Sequence, residues 1–185
     1  MTGFLKWFGI VLLVLALGIA AFLFGMRFHD GPLEIVSGGP FKTGESAEAP
    51  DDWSYLTDRM EIEFQTLDPD TSRIVWLGVF DKRLYIVSGY MNTGYGKIWK
   101  QWPHYLLNDD RIILRIDGKL YEQRLVRLMD HPQLLQIMTI YGKKYGAGAG
   151  PDVTIEQLRA ALSSGDFWLF EVVDRSFGSA HTAEG

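Results

Sequence analysis

The feature that most constrains this chain is an uncharged apolar run near its N-terminus, from Trp7 to Met26. Twenty residues of α-helix, at about 1.5 Å per residue, span about 30 Å, which is the hydrocarbon thickness of a bilayer. Lys6 and Arg27 flank the run. The sequence therefore predicts one transmembrane helix at about residues 7–26, within an N-terminal membrane anchor of residues 1–29 that contacts membrane lipid.

A cleaved signal peptide is the alternative, because Gly18 and Ala20 are small residues near a plausible cleavage point. The apolar run continues to Phe24, however, and this favours a retained anchor. Lys6 and the terminal amine on one side are balanced against Arg27 on the other, which is a small bias for the positive-inside rule. We expect a single-pass protein of a bacterial inner membrane, with a slight preference for a soluble domain on the outer, periplasmic side.

Composition limits what the remaining 155 or so residues can be. That length fits one ordinary domain with a sizeable core, and the formal net charge of −5 disfavours nucleic-acid binding. The absence of cysteine excludes disulfides, thiolate nucleophiles and cysteine-bound metals. The histidines lack the spacing of a metal site, and we expect none. They are His29, His104, His131 and His181.

The soluble part divides into three predicted regions. Residues 30–52 are rich in glycine, proline and small acidic residues, which indicates a linker or a surface-hugging arm. Residues 53–175 are predicted to form the folded domain, and residues 176–185 a disordered tail. Within the domain, polar and apolar residues alternate from Glu61 to Gln65 as in a half-buried strand.

Two hairpins and at least two helices follow from local patterns. Apolar runs from Arg73 to Phe80 and from Leu84 to Val87 flank a turn at Asp81-Lys82, and two further strands flank Asp117-Gly118. A short or kinked helix is predicted near Trp102, with others after Pro132 and from about Thr154, before a last strand from Phe167. The expected fold class is mainly β (α+β): a split antiparallel β-barrel with two or three flanking helices.

The layout from Arg73 to Leu114 resembles the core of flavin-binding split barrels related to pyridoxamine 5′-phosphate oxidase. The resemblance covers roughly residues 53–175 and is one of layout more than identity. In that pattern a strand opening with arginine leads into a hairpin that ends in a hydroxyl residue, and a basic loop, a short helix and another strand follow. The segments that carry it are Arg73-Ile-Val-Trp-Leu, Leu84-Tyr-Ile-Val-Ser88-Gly89, Lys97-Ile-Trp99-Lys100-Gln-Trp102, Leu106-Leu-Asn108-Asp109-Asp110 and Arg111-Ile-Ile-Leu114.

This resemblance implies a homodimer with flavin mononucleotide (FMN) at each subunit junction. Its phosphate would be held by the residues on matching positions, and an aromatic ring among them could stack on the flavin. The candidate cofactor-binding residues are Arg73, Ser88, Lys97, Trp99 and Lys100. The sequence departs from the pattern at Gly78, where family members commonly carry a further basic residue.

Each of these residues also has a plain structural interpretation. Lys97 and Lys100 could form a solvated helix face, Trp99 could be a core residue, and Arg73 could cap a strand edge. No catalytic residue is assigned; His104 is one candidate acid or axial ligand, with a surface position as the alternative. The sequence thus leaves three hypotheses: a flavin-dependent oxidoreductase acting on a small molecule, a non-catalytic module that binds haem, a deazaflavin or no cofactor, and a structural dimer at the membrane.

Overall fold

The computed structural model describes residues 2–94 and 101–176. The chain begins with helix α1 (Thr2–Met26). The other elements, in chain order, are β1 (Glu45–Ala47), a 3₁₀ turn (Ser54–Leu56), β2 (Glu61–Leu67), β3 (Asp70–Phe80), β4 (Arg83–Gly89), α2 (Trp102–Tyr105), β5 (Arg111–Ile116), β6 (Lys119–Leu128), α3 (Leu134–Tyr145), α4 (Ile155–Ser164) and β7 (Phe167–Asp174).

Both predicted hairpins are present, and their turns have the backbone that tight hairpins need. Asp81 and Lys82 connect β3 to β4 with φ angles of 47° and 68°, and Asp117 and Gly118 connect β5 to β6 with φ angles of 52° and 76°. Positive φ at both central residues matches the right-handed twist of the flanking strands. The strand registers of these hairpins therefore follow from the turn chemistry.

Six antiparallel strands close into a barrel. Around the barrel the order is β6, β5, β2, β3, β4 and β7, and β7 pairs again with β6. The β6 strand makes closure possible because its first half pairs with β5 and its second half, from Gln123 to Leu128, pairs with β7. This architecture confirms the predicted antiparallel barrel with flanking helices.

The barrel interior is filled by every second residue of its strands. On β5 these residues are Ile112, Leu114 and Ile116, each at most 2% exposed. Phe64 of β2 and Leu77 of β3 are fully buried beside them in the same cluster. Alternation with period two places the polar residues between them on the outer face.

Helices α3 and α4 cover the outside of the barrel at β3, β4 and β7. Their buried residues, which include Ile137 and Leu162, pack with Tyr85 and Leu169 in a second apolar cluster. Thr154 begins α4 with a capping box completed by Gln157, as the predicted helix start at about Thr154 implied.

Two features lie outside the barrel. The region of residues 30–52 runs along its outer surface, where Gly38 pairs with Ser72 and β1 runs parallel to the start of β6. The α1 helix, from Gly3 to Met26, is long and apolar enough to cross a membrane. Its apolar stretch is not buried against the rest of the chain, whereas the core helix of a soluble protein would be; a signal sequence would share this property.

Candidate functional site

The barrel has two ends with different lids. At the end that we call the α2 end, β3 and β5 begin, β4 and β6 finish, and helix α2 lies in the connection from β4 to β5. At the opposite end, which we call the Trp53 end, the β3–β4 and β5–β6 turns lie beside Trp53 and Tyr121, whose rings meet edge-on at 5.5 Å. The candidate residues described by the structure, Arg73 and Ser88, both belong to the α2 end.

Arg73 points into the barrel. It lies on β3 opposite Phe64 and shares the inward alternation of Val75 and Leu77. Its Nη2 donates to Thr71 Oγ1 at 3.2 Å, but its buried Nε has no hydrogen-bond partner within the described part of the chain. Among the described residues it forms no ion pair. Arg73 is thus a cation that the described fold leaves partly unsatisfied.

Desolvation is the main electrostatic influence on Arg73. Burial lowers the pKa of its guanidinium to about 10, and Tyr105 of α2 opposes this shift only in part. The group stays protonated at neutral pH, so its charge is retained in a setting where water solvates it poorly. An anion that reached this position would be held by a charge-assisted hydrogen bond.

Ser88 is the inward-facing residue near the end of β4 and is only 1% exposed. It pairs with Trp168 on β7, and its hydroxyl donates to Met91 Sδ at 3.3 Å. Sulfur is a weak acceptor, so this hydroxyl has a weak partner that a better acceptor could replace. A ligand that contacts Ser88 has to enter the barrel at this end.

Helix α2 closes the α2 end. The Trp102 ring lies 5.0 Å from that of Phe64 and 5.5 Å from that of Phe170. Pro103 falls in the first turn, where a missing amide costs no intrahelical bond. His104, the candidate acid of the sequence analysis, has its ring 5.1 Å from that of Trp168. Its side chain is therefore beside the barrel mouth.

Arg127 at this end was missed by the sequence analysis. It lies on β6 opposite Phe170 of β7, and its guanidinium carbon is 3.6 Å from the centre of the Trp168 ring. Its buried Nε lacks a partner among the residues that the structure describes. Burial lowers the pKa of this guanidinium as well. The signal was available, because Arg127 continues the inward alternation of Tyr121 and Leu125.

Arg73 and Arg127 do not form one cluster. Their strands, β3 and β6, are separated by two strands in either direction around the barrel. Tyr105 faces the Arg73 side, and His104 is near Trp168, the ring on which Arg127 stacks. The α2 end therefore has two separate cationic positions. The Trp102 ring packs on Phe64 and Phe170, which lie opposite Arg73 and Arg127 on the neighbouring strands.

The other three candidate cofactor-binding residues lie outside the described residues. Lys97, Trp99 and Lys100 belong to the connection between Gly94 and Gln101, which links β4 to α2. Their assignment to the site stays a prediction. The chain connection alone requires this segment to leave from the strand end that carries Ser88 and to return to the helix that carries Trp102.

Gly78, the position where the sequence departs from the family pattern, is on the outer face of β3. A Cβ atom there would lie 2.8 Å from the Tyr141 ring of α3. The Tyr141 hydroxyl in turn donates to the Tyr85 carbonyl at 2.7 Å, which holds the ring in place. A longer basic side chain therefore cannot occupy this position while α3 is packed as observed.

A metal centre has no support in the described part of the chain. Within residues 2–94 and 101–176, no group of three or more His, Asp or Glu residues is arranged so that it could hold a metal ion. His29 follows α1 in the chain and His131 precedes α3. The chemistry of the α2 end is instead that of cations and aromatic rings.

Three solved structures illustrate what the chain is similar to. A conserved hypothetical protein, Rv2991, from Mycobacterium tuberculosis is 11% identical over 70% of this chain and 86% of its own, with a TM-score of 0.42. A putative pyridoxamine 5′-phosphate oxidase from Listeria innocua is 10% identical over 66% and 89%, with a TM-score of 0.43. A FAD-binding protein from Mesorhizobium loti is 14% identical over 66% and 86%, with a TM-score of 0.36.

No family model matches the chain, and no curated protein is similar to it in sequence. The likenesses to solved structures concern the fold. The barrel itself rests on the strand pairing described above.

Proposed function

We propose that this protein is a membrane-anchored flavoprotein that holds a phosphate-bearing flavin, FMN in the first instance, at the α2 end of its barrel. One observation carries the proposal: Arg73 keeps a charged guanidinium inside the barrel, with a buried Nε that has no partner in residues 2–94 and 101–176. Buried polar groups are almost always paired, so an unpaired charged donor favours an anionic ligand at that position.

The remaining candidates supply what a phosphate and a flavin ring require. A phosphate needs several donors, and Lys97, Lys100 and the Ser88 hydroxyl are on the β4 strand or on the connection that follows it. Trp99 would stack on the planar ring system. Ser88 would exchange its weak bond to Met91 for one to phosphate oxygen, so binding requires the connection near Met91 to give way.

The flavin, when bound, supplies electron or hydride transfer, which makes an oxidoreductase acting on a small molecule the corresponding activity. The chain's own residues bind the cofactor and exclude water. Trp102 and Trp168 form apolar walls at the barrel mouth. The ring of His104 lies beside that of Trp168, and in this proposal it would serve as the acid or base at the barrel mouth.

The proposal includes two statements about assembly and location. Two copies form a homodimer, since split barrels of the resembled kind complete their cofactor site with a second subunit. The α1 helix spans a bacterial inner membrane once, and the barrel lies on its periplasmic side. The unburied apolar surface of α1 supports the anchor.

A second candidate is supported by Gly78. The Tyr141 ring fills the space in which the resembled family places a further basic residue. A barrel without that residue could serve as a non-catalytic module that binds haem or a deazaflavin, or as a structural dimer without a cofactor. A structural dimer without a cofactor would leave the Nε of Arg73 without a partner among the described residues, whereas a cofactor with an anionic group would supply one.

The test uses the full-length chain purified in detergent. We expect the protein to show an absorption band at about 450 nm. If the purified protein is colourless, we expect saturable FMN binding with a rise in melting temperature. The double variant Lys97→Ala, Lys100→Ala should weaken FMN binding at least tenfold, about 1.4 kcal/mol. Lys119→Ala with Lys143→Ala, two exposed lysines in β6 and α3, is the matched control for the change in charge.

The outcomes separate the candidates. Equal FMN affinity in both double variants would remove Lys97 and Lys100 from the site. Protein that is colourless and gains no thermal stability from FMN would favour the second candidate, and a band near about 400 nm would point to haem.

A further inference from the structure

The exit of α1 is held by the residues that follow it in the chain. The amide of Gly39 donates to the His29 carbonyl at 3.1 Å, and Lys42 Nζ donates to the Phe28 carbonyl at 2.7 Å. A Cβ atom on Gly39 would lie 2.3 Å from the Arg27 carbonyl oxygen, so this approach requires glycine. The first residues after the helix are thus folded back against residues 38–42.

The same segment is bonded to the barrel. Gly38 and Ser72 exchange two backbone hydrogen bonds of 2.9 and 3.0 Å, and the Ser72 hydroxyl donates to the Gly39 carbonyl at 2.5 Å. Ser72 points outward on β3, and the next residue, Arg73, points inward. The segment is therefore attached to β3 near the start of this strand, which belongs to the α2 end of the barrel.

An ion-pair network makes a second connection between α1 and the barrel. Asp30 accepts hydrogen bonds from the Lys42 amide at 2.7 Å and from Arg115 Nη1 at 2.8 Å. Arg115 lies on β5, where it also bonds Glu63 of β2. Asp30, four residues beyond the end of α1, is therefore held by Lys42 and, through Arg115, by β5 and β2. These bonds restrict rotation of the barrel about the helix.

Between these attachments the chain projects a short apolar turn. Leu33 and Val36 exchange two backbone hydrogen bonds of 3.0 and 2.8 Å, and Glu34 has a φ of 50°. Ile35 at its tip is 83% exposed and Leu33 is 47% exposed, while Phe28 at the helix exit is 65% exposed. We call residues 33–36, together with Phe28, the juxtamembrane turn.

We propose that the juxtamembrane turn docks into the interfacial layer of the bilayer that α1 enters, and so fixes the tilt of the barrel on the membrane. The bilayer is the occupant because the turn is continuous with α1 and held against its exit, and because the exposed cation Arg27 beside it suits anionic headgroups. The inference rests on the proposed membrane anchoring and is independent of the cofactor.

The chain contains no cysteine, so single-cysteine variants can be labelled at one position each. Full-length Ile35→Cys, carrying an environment-sensitive fluorophore, is reconstituted in vesicles of phosphatidylcholine and phosphatidylglycerol with spin-labelled lipid. Quenching of about half or more of its emission is expected, because the label would lie in the interfacial layer. Lys82→Cys, at the exposed turn of the Trp53 end, is the control expected to stay unquenched, and Leu17→Cys in α1 reports insertion.

Each outcome is decisive. Quenching at positions 17 and 35 but not at 82 supports docking. Quenching at 17 alone overturns docking and leaves the anchor intact, while no quenching at 17 overturns the anchoring and the docking together. A label at 35 that is shielded from aqueous iodide but not quenched by lipid would mean that a second copy of the chain covers the turn, and would also overturn the proposal.

Discussion

The two ends of the barrel are closed by tryptophans in similar ways, yet they differ in the charges beside these rings. At the Trp53 end, Trp53 and Leu56 pack on Tyr121 inside one apolar cluster. At the α2 end, Trp102 packs on Phe64 and Phe170 in the same cluster. Only the α2 end adds inward-facing arginines whose Nε atoms lack partners among the described residues.

This difference separates the apolar lids, which folding of the barrel requires, from the buried arginines, which folding does not explain. A closed apolar lid is enough to complete the core, as the Trp53 end demonstrates. A buried charge without its full set of partners opposes folding, because desolvation is not repaid. Natural sequences break such local rules mainly at functional sites, which is the physical reason to look for a ligand at the α2 end.

The largest expected effect concerns the Trp53 end. Trp53→Ala should destabilise the protein by about 3–5 kcal/mol, because it removes a large buried ring and leaves a cavity. The measurement is chemical denaturation of the full chain in detergent, followed by near-UV circular dichroism. FMN affinity of the folded fraction should be unchanged.

Tyr55→Ala is the control for this variant, since the Tyr55 ring is mostly exposed and its loss should matter much less. If Trp53→Ala also weakened FMN binding tenfold, the two ends would not be independent. The comparison on which the site assignment depends would then be broken.

The next effect has the opposite sign and concerns the α2 end. Arg73→Met keeps the length of the side chain but removes the buried charge, so the protein without cofactor should gain about 1–2 kcal/mol of stability. The same variant should lose FMN affinity at least tenfold, since the charged donor to phosphate is gone. Thermal melting with and without FMN measures both quantities on one sample.

Arg111→Met is the matched control, because Arg111 is paired with Asp109 at 2.7 Å on the outer surface. It should change neither quantity by much. Destabilisation by Arg73→Met together with unaltered FMN binding would identify Arg73 as a structural residue.

The sequence was most informative where short-range rules decide the structure. The hairpin turns at Asp81-Lys82 and Asp117-Gly118, and the alternating strands beside them, require only local chemistry and are confirmed. The α2 end is different, because residues 89–110 have little periodicity and α2 has only four residues. Its position depends on the packing of Trp102 against Phe64, which is distant in sequence.

The arm shows the same limit in another form. Its composition indicated a linker or a surface arm, but its attachment depends on Gly38 meeting Ser72 and on Asp30 meeting Arg115, 85 positions away. No local pattern encodes such pairs. The side-chain direction of Arg127 was readable from alternation, whereas its unpaired Nε could be recognised only once its neighbours were in place.

The smallest expected effect tests the ion-pair network of Asp30, which attaches the region of residues 30–52 to Arg115 near the end of β5. Although partial burial opposes it, hydrogen bonds from Lys42, Thr43 and Arg115 hold the pKa of Asp30 at about 2, below its ordinary 3.8. A carboxyl whose pKa is lowered by folding adds stability above pH 3.8, and this contribution is lost as the pH falls toward 2.

Between these limits the melting temperature of the natural chain should therefore fall by about 2 °C more than that of Asp30→Asn, which cannot lose this charge. Asp152→Asn, at an exposed position between α3 and α4, is the control and should follow the natural chain. Parallel melting curves for the natural chain and Asp30→Asn would mean that the Asp30 network does not hold the arm in solution. The proposed tilt of the barrel on the membrane would then rest on the pairing of residues 38 and 39 with Ser72 and of β1 with β6.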